Sequence, residues 1–285
     1  MRPAPGPWPR TLTAVLAAVV LASALLTGCA RPPADSVAPG AAVRGAETAA
    51  GARSAKGPTQ TAQPYRHWGL TAPLPAPPSP HVRRLRLPGG APLPVVHRVP
   101  TRDKVVFLTY DDGAEKDPRF VDMVRELRLP VSMFLTDSVV GPGYGHFARL
   151  RSVGASIQNH TLDHAALRGL PYAGQRAEIC GQQNKLRARF GIRPRLFRPP
   201  YGTYDATTLR AAADCGVTAL VLWRAAMEGD GGLTYAKGPR HLRAGDIVSV
   251  PSGEPAGLTL RERTTRLLRE IQTRGLAVGR LEDYV

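Results

Sequence analysis

The chain is short of lysine, of cysteine and of acid in its first third, and each shortage narrows what it can be. Only five of its 38 cationic residues are lysine, while Ala, Gly and Pro abound, the bias expected of a G+C-rich bacterial genome. The first hundred residues hold two Asp or Glu against eleven Lys or Arg, so the net charge of +16 is weighted towards the N-terminal tail. Basic tails favour anionic surfaces such as lipid headgroups or wall polymers. No helix-turn-helix, zinc-finger or RNA-binding signature accompanies the charge, so nucleic acid is not expected as a partner. The uncharged apolar run from Leu12 to Leu26 is too short for a comfortable membrane span.

That run follows Arg2 and Arg10 and ends in Leu26-Thr27-Gly28-Cys29. A basic start, a short apolar segment and small residues read as an export signal over residues 1–29. Its ending resembles the lipobox of bacterial lipoproteins, in which the Cys is diacylated and becomes N-terminal. Two acyl chains hold a protein firmly on a membrane. The expectation is a protein tethered at Cys29 to the outer face of the cell membrane, or secreted if the lipobox is not used. Residues 30–92, rich in Pro, Ala and Gly, have linker composition and are expected to space a domain at 93–285 from the membrane. Cys180 and Cys215 lack a C-x-x-C spacing and a nearby His cluster. Outside the cytoplasm they can pair as a disulfide or remain two separate buried thiols.

Chemistry concentrates in His160-Thr161-Leu162-Asp163-His164, two histidines four apart after the apolar run Ala155-Ser156-Ile157. At that spacing both imidazoles can face one way, as a divalent metal requires. Thr109-Tyr110-Asp111-Asp112-Gly113 ends the apolar strand pattern that starts at Val105. Two adjacent carboxylates at the end of a buried strand are costly unless they have work to do. One completing a metal site and the other acting as a base would account for both.

From Lys104 the pattern alternates strands and helices. Strands are expected at 105–110, 131–135, 155–159, 196–197, 217–223, 246–250 and 276–278, with an earlier one over 93–99. Helices are expected at 117–128, capped by Asp117-Pro118, and at 147–153, 172–190, 205–215 and 259–274, the last opened by a Thr259–Glu262 capping box. Such alternation implies a parallel sheet covered by helices. Asp111 and Asp112, His160 and His164, and Arg198 to Tyr201 all fall just after strands. In α/β barrels that rim is where sites are built.

The residues resemble the polysaccharide deacetylases with a NodB homology domain, carbohydrate esterase family 4, over about residues 93–285. The family's T-F-D-D-G stands here as Thr109 to Gly113, its H-[ST]-x-x-H as His160 to His164, and its R-x-P-Y as Arg198 to Tyr201, in family order. The resemblance implies a distorted (β/α) barrel with parallel strands and outer helices. It implies that Asp112, His160 and His164 hold a divalent metal, commonly Zn2+, with Co2+ or Mn2+ as alternatives. Asp111 would be the general base, Arg198 would hold it, and the Tyr201 backbone N–H would stabilise the oxyanion. Trp223 would contribute to substrate binding.

Two later family motifs are altered. No Asp stands where one is expected beside Trp223. The run Gly245-Asp246-Ile247-Val248 continues into Ser249-Val250-Pro251, so Pro251 replaces the family's general-acid histidine. Glu228, Glu254 or a water are the candidate proton sources. The expected activity is deacetylation of N-acetyl, or O-acetyl, groups on peptidoglycan or a chitin-like glycan by a monomer. The alternative is a glycan-binding pseudoenzyme.

Overall fold

The computed structural model describes residues 63–80, 92–251 and 257–285. Cys29, the export signal, Glu254 and most of the stretch expected as linker lie outside the described residues. Nine strands form one continuous path in the order β1 (Val95–Val96), β6 (Ala219–Val221), β5 (Leu196–Phe197), β4 (Ser156–Asn159), β3 (Val131–Leu135), β2 (Val105–Asp112), β9 (Ile247–Val250), β7 (Ala225–Met227) and β8 (Leu233–Tyr235). A tenth strand, β10 (Ala277–Val278), pairs with the start of β2. Every pairing is parallel except the β7–β8 hairpin. The sheet curls into a half-barrel with helices outside it, as the alternating pattern implied.

Alternation along β2 divides the core. Val106, Leu108 and Tyr110 pack outward with Phe120 and Val124 of α2 (Pro118–Leu127), Phe147 and Leu150 of α4 (Tyr144–Ser152), and Leu267 and Ile271 of α7 (Leu260–Thr273). Val105 and Phe107 pack on the other side with Phe134, Val221 and Tyr284. Because both faces are covered, residues 105–111 are all buried, which is why the strand reads as a continuous apolar run rather than a striped one. Helix starts follow their caps. Asp117 accepts from the Arg119 N–H at 2.9 Å before α2. Capping boxes open α7 at Thr259–Glu262 and α6 (Ala206–Asp214) at Asp205–Thr208. Helix α5 spans Tyr172–Phe190 and stops at Gly191. No helix among the described residues is long and apolar enough to cross a membrane.

Several details differ from expectation. The first strand shrinks to two residues, and α4 begins three residues earlier than Phe147. Strands β7 and β8 had no sequence signal, being only three residues each. Short helices α1 (Pro64–His67) and α3 (Asp137–Val140) were likewise unseen. The larger difference lies at residues 63–80, inside the stretch expected as linker. Trp68 and Leu70 are buried in the core shared with α2 and α7, and the Trp68 indole N–H donates to Glu126 at 2.7 Å. Arg269 and Gln272 of α7 donate to the carbonyls of Gly69 and Ala72. This segment is a strap on the domain, so the linker assignment does not hold for it. Cys180 and Cys215 form a disulfide between α5 and the end of α6.

Candidate active site

Parallel pairing points the C-terminal ends of β2, β4, β5, β6, β7 and β9 to one rim. Asp111 and Asp112 end β2, His160 follows β4, Arg198 follows β5, Trp223 follows β6, and Ser249 sits near the end of β9. A cleft of about 270 Å³ at this rim is lined by Asp111, Asp112, His160, His164, Tyr201 and Trp223, together with residues of β7 and β9.

Neighbouring residues on a strand point to opposite faces. Asp112 escapes that rule with a left-handed φ of 64°, which turns its side chain into the same cleft as Asp111. Gly113 must follow, since its φ is 85° and a Cβ would stand 2.9 Å from Leu135, Val140 and Phe147. Thr161, His164 and Tyr201 also hold positive φ. Of the five such non-glycine residues among those described, four lie at this site. Backbone strain of this kind concentrates where a side chain must be aimed.

The histidine loop is pinned from several directions. The His160 N–H donates to the Leu135 carbonyl and its own carbonyl accepts from Thr136 Oγ1. Asn159 accepts from the Thr161 N–H, and Thr161 Oγ1 accepts from the His164 N–H. His160 Nδ1 lies 2.7 Å from the Arg198 carbonyl, which can only accept. Nδ1 therefore carries a proton, which leaves Nε2 as the ring nitrogen that faces whatever lies in front of it.

What lies there is Asp112 Oδ1, 3.3 Å from His160 Nε2 and 3.1 Å from His164 Nε2. That oxygen is buried, yet no aligned hydrogen bond reaches it. Donor atoms that crowd without bonding each other suit a shared cation. Tetrahedral zinc with bonds of about 2.0–2.1 Å sets its ligand atoms roughly 3.3 Å apart. The three donors lie within 4.8 Å of one another, so Asp112, His160 and His164 can hold a divalent ion. Burial tends to push the Asp112 carboxyl up, but the adjacent imidazoles outweigh it and hold the group well below the usual carboxylate range. The Asp112 carboxylate in turn raises His164, against an opposing effect of burial.

Beside this group stands a second constellation. Arg198 is fully buried and its Nη1 donates to Asp111 Oδ1 at 2.6 Å. Its Nε and Nη2 reach the carbonyls of Val221 and Leu222, and its guanidinium carbon lies 4.4 Å from the centroid of the Phe134 ring and 5.3 Å from that of Trp223. Trp223 thus packs on Arg198 as well as lining the cleft. Sequence reasoning missed Ser249, whose Oγ donates to Asp111 Oδ2 at 2.8 Å. Its only signal is its place two residues before Pro251 on a strand that pairs with β2. The Tyr201 side chain is 65% exposed and stacks edge-on against His164.

The family model for polysaccharide deacetylase matches residues 98–220, which hold the carboxylate pair, both histidines and Arg198. The chain belongs to the polysaccharide deacetylase family. An uncharacterized protein of Streptomyces coelicolor, SCO4760, is 66% identical over 192 residues, covering 67% of this chain and 77% of that one. Chitin deacetylase 1 of Cryptococcus neoformans is 28% identical over 58% of this chain, which spans only 35% of that protein. Among solved structures, a CE4 family pseudoenzyme from Bacillus anthracis superposes with a TM-score of 0.57 at 18% identity, over 67% of this deacetylase-family chain and 68% of its own. That likeness shows the fold, a NodB-type (β/α) half-barrel.

Proposed function

We propose that the protein is an exported, metal-dependent deacetylase that removes N-acetyl groups from a cell-wall or chitin-like glycan while tethered to the membrane through Cys29. The observation that carries this reading is the convergence of Asp112, His160 and His164 directly beside the buried Asp111–Arg198 pair. A divalent cation held there, zinc by the nitrogen and oxygen donor set, supplies Lewis-acid catalysis that polarises an acyl carbonyl and eases deprotonation of water. Asp111 takes the proton from the attacking water, aimed by Arg198 on one oxygen and Ser249 on the other. The Tyr201 turn presents a backbone N–H to the developing oxyanion. The face of Trp223 left in the cleft offers apolar surface to a sugar ring.

The test is acetate release by the zinc-loaded full-length protein from matched N-acetyl and O-acetyl oligosaccharides. Asp112→Ala is expected to lower release at least 100-fold, in line with loss of a metal-assisted step, and an equally active variant overturns the proposal. The pseudoenzyme reading is favoured by one feature, Pro251 lining the cleft in place of an acid. Glycan and zinc bound without any acetate release would establish it. For the anchor, Cys29→Ala is expected to move the protein from the membrane fraction to the supernatant, and protein that stays with the membrane contradicts it.

A further inference from the structure

Pro251 removes the side chain that would meet the leaving group, but the structure offers another group next to it. Strand β7 runs parallel to β9 with Ala225 opposite Val248 and Ala226 opposite Ser249. Carried two residues on, that register sets Glu228 beside Pro251. Both line the same cleft as Asp111 and the proposed metal ligands. Glu254, the other carboxylate weighed from sequence, lies outside the described residues.

Glu228 is held in place rather than waving on a loop. It closes the β7–β8 hairpin, with its N–H donating to the Gly232 carbonyl at 2.8 Å and its carbonyl accepting from the Gly231 N–H at 2.9 Å. Gly231 has a φ of 85°, and a Cβ there would meet Arg266 and Leu258 at 2.7 and 2.8 Å. Thr234 Oγ1 lies 2.7 Å from Glu228 Oε1 across the hairpin. No cation among the described residues makes an ion pair with it, so its charge is left for a ligand. Pro251 cannot turn away to admit some other donor either, because its carbonyl accepts from the buried Arg263 at 2.6 Å.

We infer that Glu228 is a catalytic residue that serves the leaving group, its carboxylate stabilising the ammonium that forms as the amide breaks, and that this commits the site to N-acetylated amino sugars. The inference rests on the deacetylase reading above. Attack forms a bond between the water oxygen and the acyl carbon, and the water's proton passes to Asp111. Asp111 then returns the proton to the nitrogen of the intermediate, which becomes positively charged, and the C–N bond breaks with its electron pair on that nitrogen. The acetic acid released gives up its own proton to the amine, so amide and water become ammonium and acetate with nothing left over. Positive charge appears at the nitrogen only, where Glu228 faces it. An alcohol leaving from an O-acetyl ester carries no such charge, and Glu228 contributes nothing to it.

The experiment compares full-length wild type with Glu228→Gln in two assays. With zinc loaded, acetate release from an N-acetyl chito-oligosaccharide is expected to fall about fivefold, the scale of a charge pair formed by an exposed carboxylate at the edge of the cleft. Release from a matched O-acetyl oligosaccharide and from 4-nitrophenyl acetate stays within about twofold. Without metal, calorimetry is expected to give roughly fivefold weaker binding of the glucosamine oligomer by the variant, with reduced salt dependence. Binding of the acetylated oligomer is unchanged. Equal losses on amide and ester, an unchanged amide rate, or equal affinity for the amine oligomer would each overturn the inference. If wild type releases no acetate from any substrate, the deacetylase reading fails separately, and the amine-binding comparison still decides whether Glu228 recognises an ammonium.

Discussion

Arg198 is the residue on which the site's order depends. Its guanidinium is wholly enclosed, and its donors are divided among Asp111 and two carbonyls at the end of β6. Replacing it by Met leaves the Asp111 carboxylate without its cation. A broken buried pair of this kind costs about 3–5 kcal/mol. Urea denaturation of Arg198→Met is expected to register that loss, and Lys, lacking the planar fork, is expected to recover less than half of it. Ser249→Ala removes a single hydrogen bond from Asp111, worth about 1 kcal/mol. It should lower kcat a few-fold with KM nearly constant, since Asp111 is held by Arg198 as well. A change confined to KM would place Ser249 on the substrate instead. Metal binding is also legible without turnover. Zinc is expected to raise the melting temperature of wild type, because a ligand that binds only the folded state adds RT ln(1 + [L]/Kd). Asp112→Ala should abolish the rise.

At the scale of elements, the loop behind the histidines is tied to α6 through one carboxylate. Asp205 caps α6 by accepting from the Thr208 N–H at 2.8 Å and also accepts from the Gly169 N–H at 2.9 Å and from Gln175. The Gly169 contact is the largest cause that brings its pKa down to about 2. An ordinary aspartate titrates near 3.9. A folded pKa below the unfolded one means stabilisation that is complete above about pH 4 and disappears as pH falls to about 2. Asp205→Asn is expected to flatten the pH dependence of stability across that window, while Asp205→Ala costs about 1 kcal/mol at neutral pH as a lost cap. A variant with the wild-type acid profile would show that the cap is not ionised when it works. The disulfide ties the middle of α5 to the end of α6 across 35 residues of chain. Its removal by Cys180→Ser with Cys215→Ser is expected to cost about 2–4 kcal/mol.

Across the whole molecule, the strap at residues 63–80 extends the folded unit beyond the barrel. Trp68 is buried in the core that α2 and α7 share, and Trp68→Ala is expected to cost about 2–4 kcal/mol by leaving a void there. A truncation starting at residue 93 would therefore be less stable than the full chain, which thermal melts of the two can measure.

The sequence by itself determined the longer helices, the long strands and the three motifs. Their signals are local: caps at Asp117, Asp205 and Thr259, apolar runs such as Val105–Tyr110, and paired carboxylates and histidines at fixed spacing. It also determined that those motifs share a rim, because consecutive parallel strands must all end on the same side. Tertiary structure alone decided the rest. Ser249 reaches Asp111 and Glu228 stands beside Pro251 only because β9 pairs with β2 and β7 in particular registers. Strands β7 and β8 are too short to carry a period of their own and owe their form to the edge they join. Asp112 shares a cleft with Asp111 because one residue accepts a left-handed backbone, which no pattern of residue types announces. Trp68 stands in a Pro-rich stretch and is buried only because two helices, more than fifty and nearly two hundred residues further on, are packed to receive it. Long-range contacts of this kind have no local signature, since the burial that stabilises them exists only once the distant partners have met.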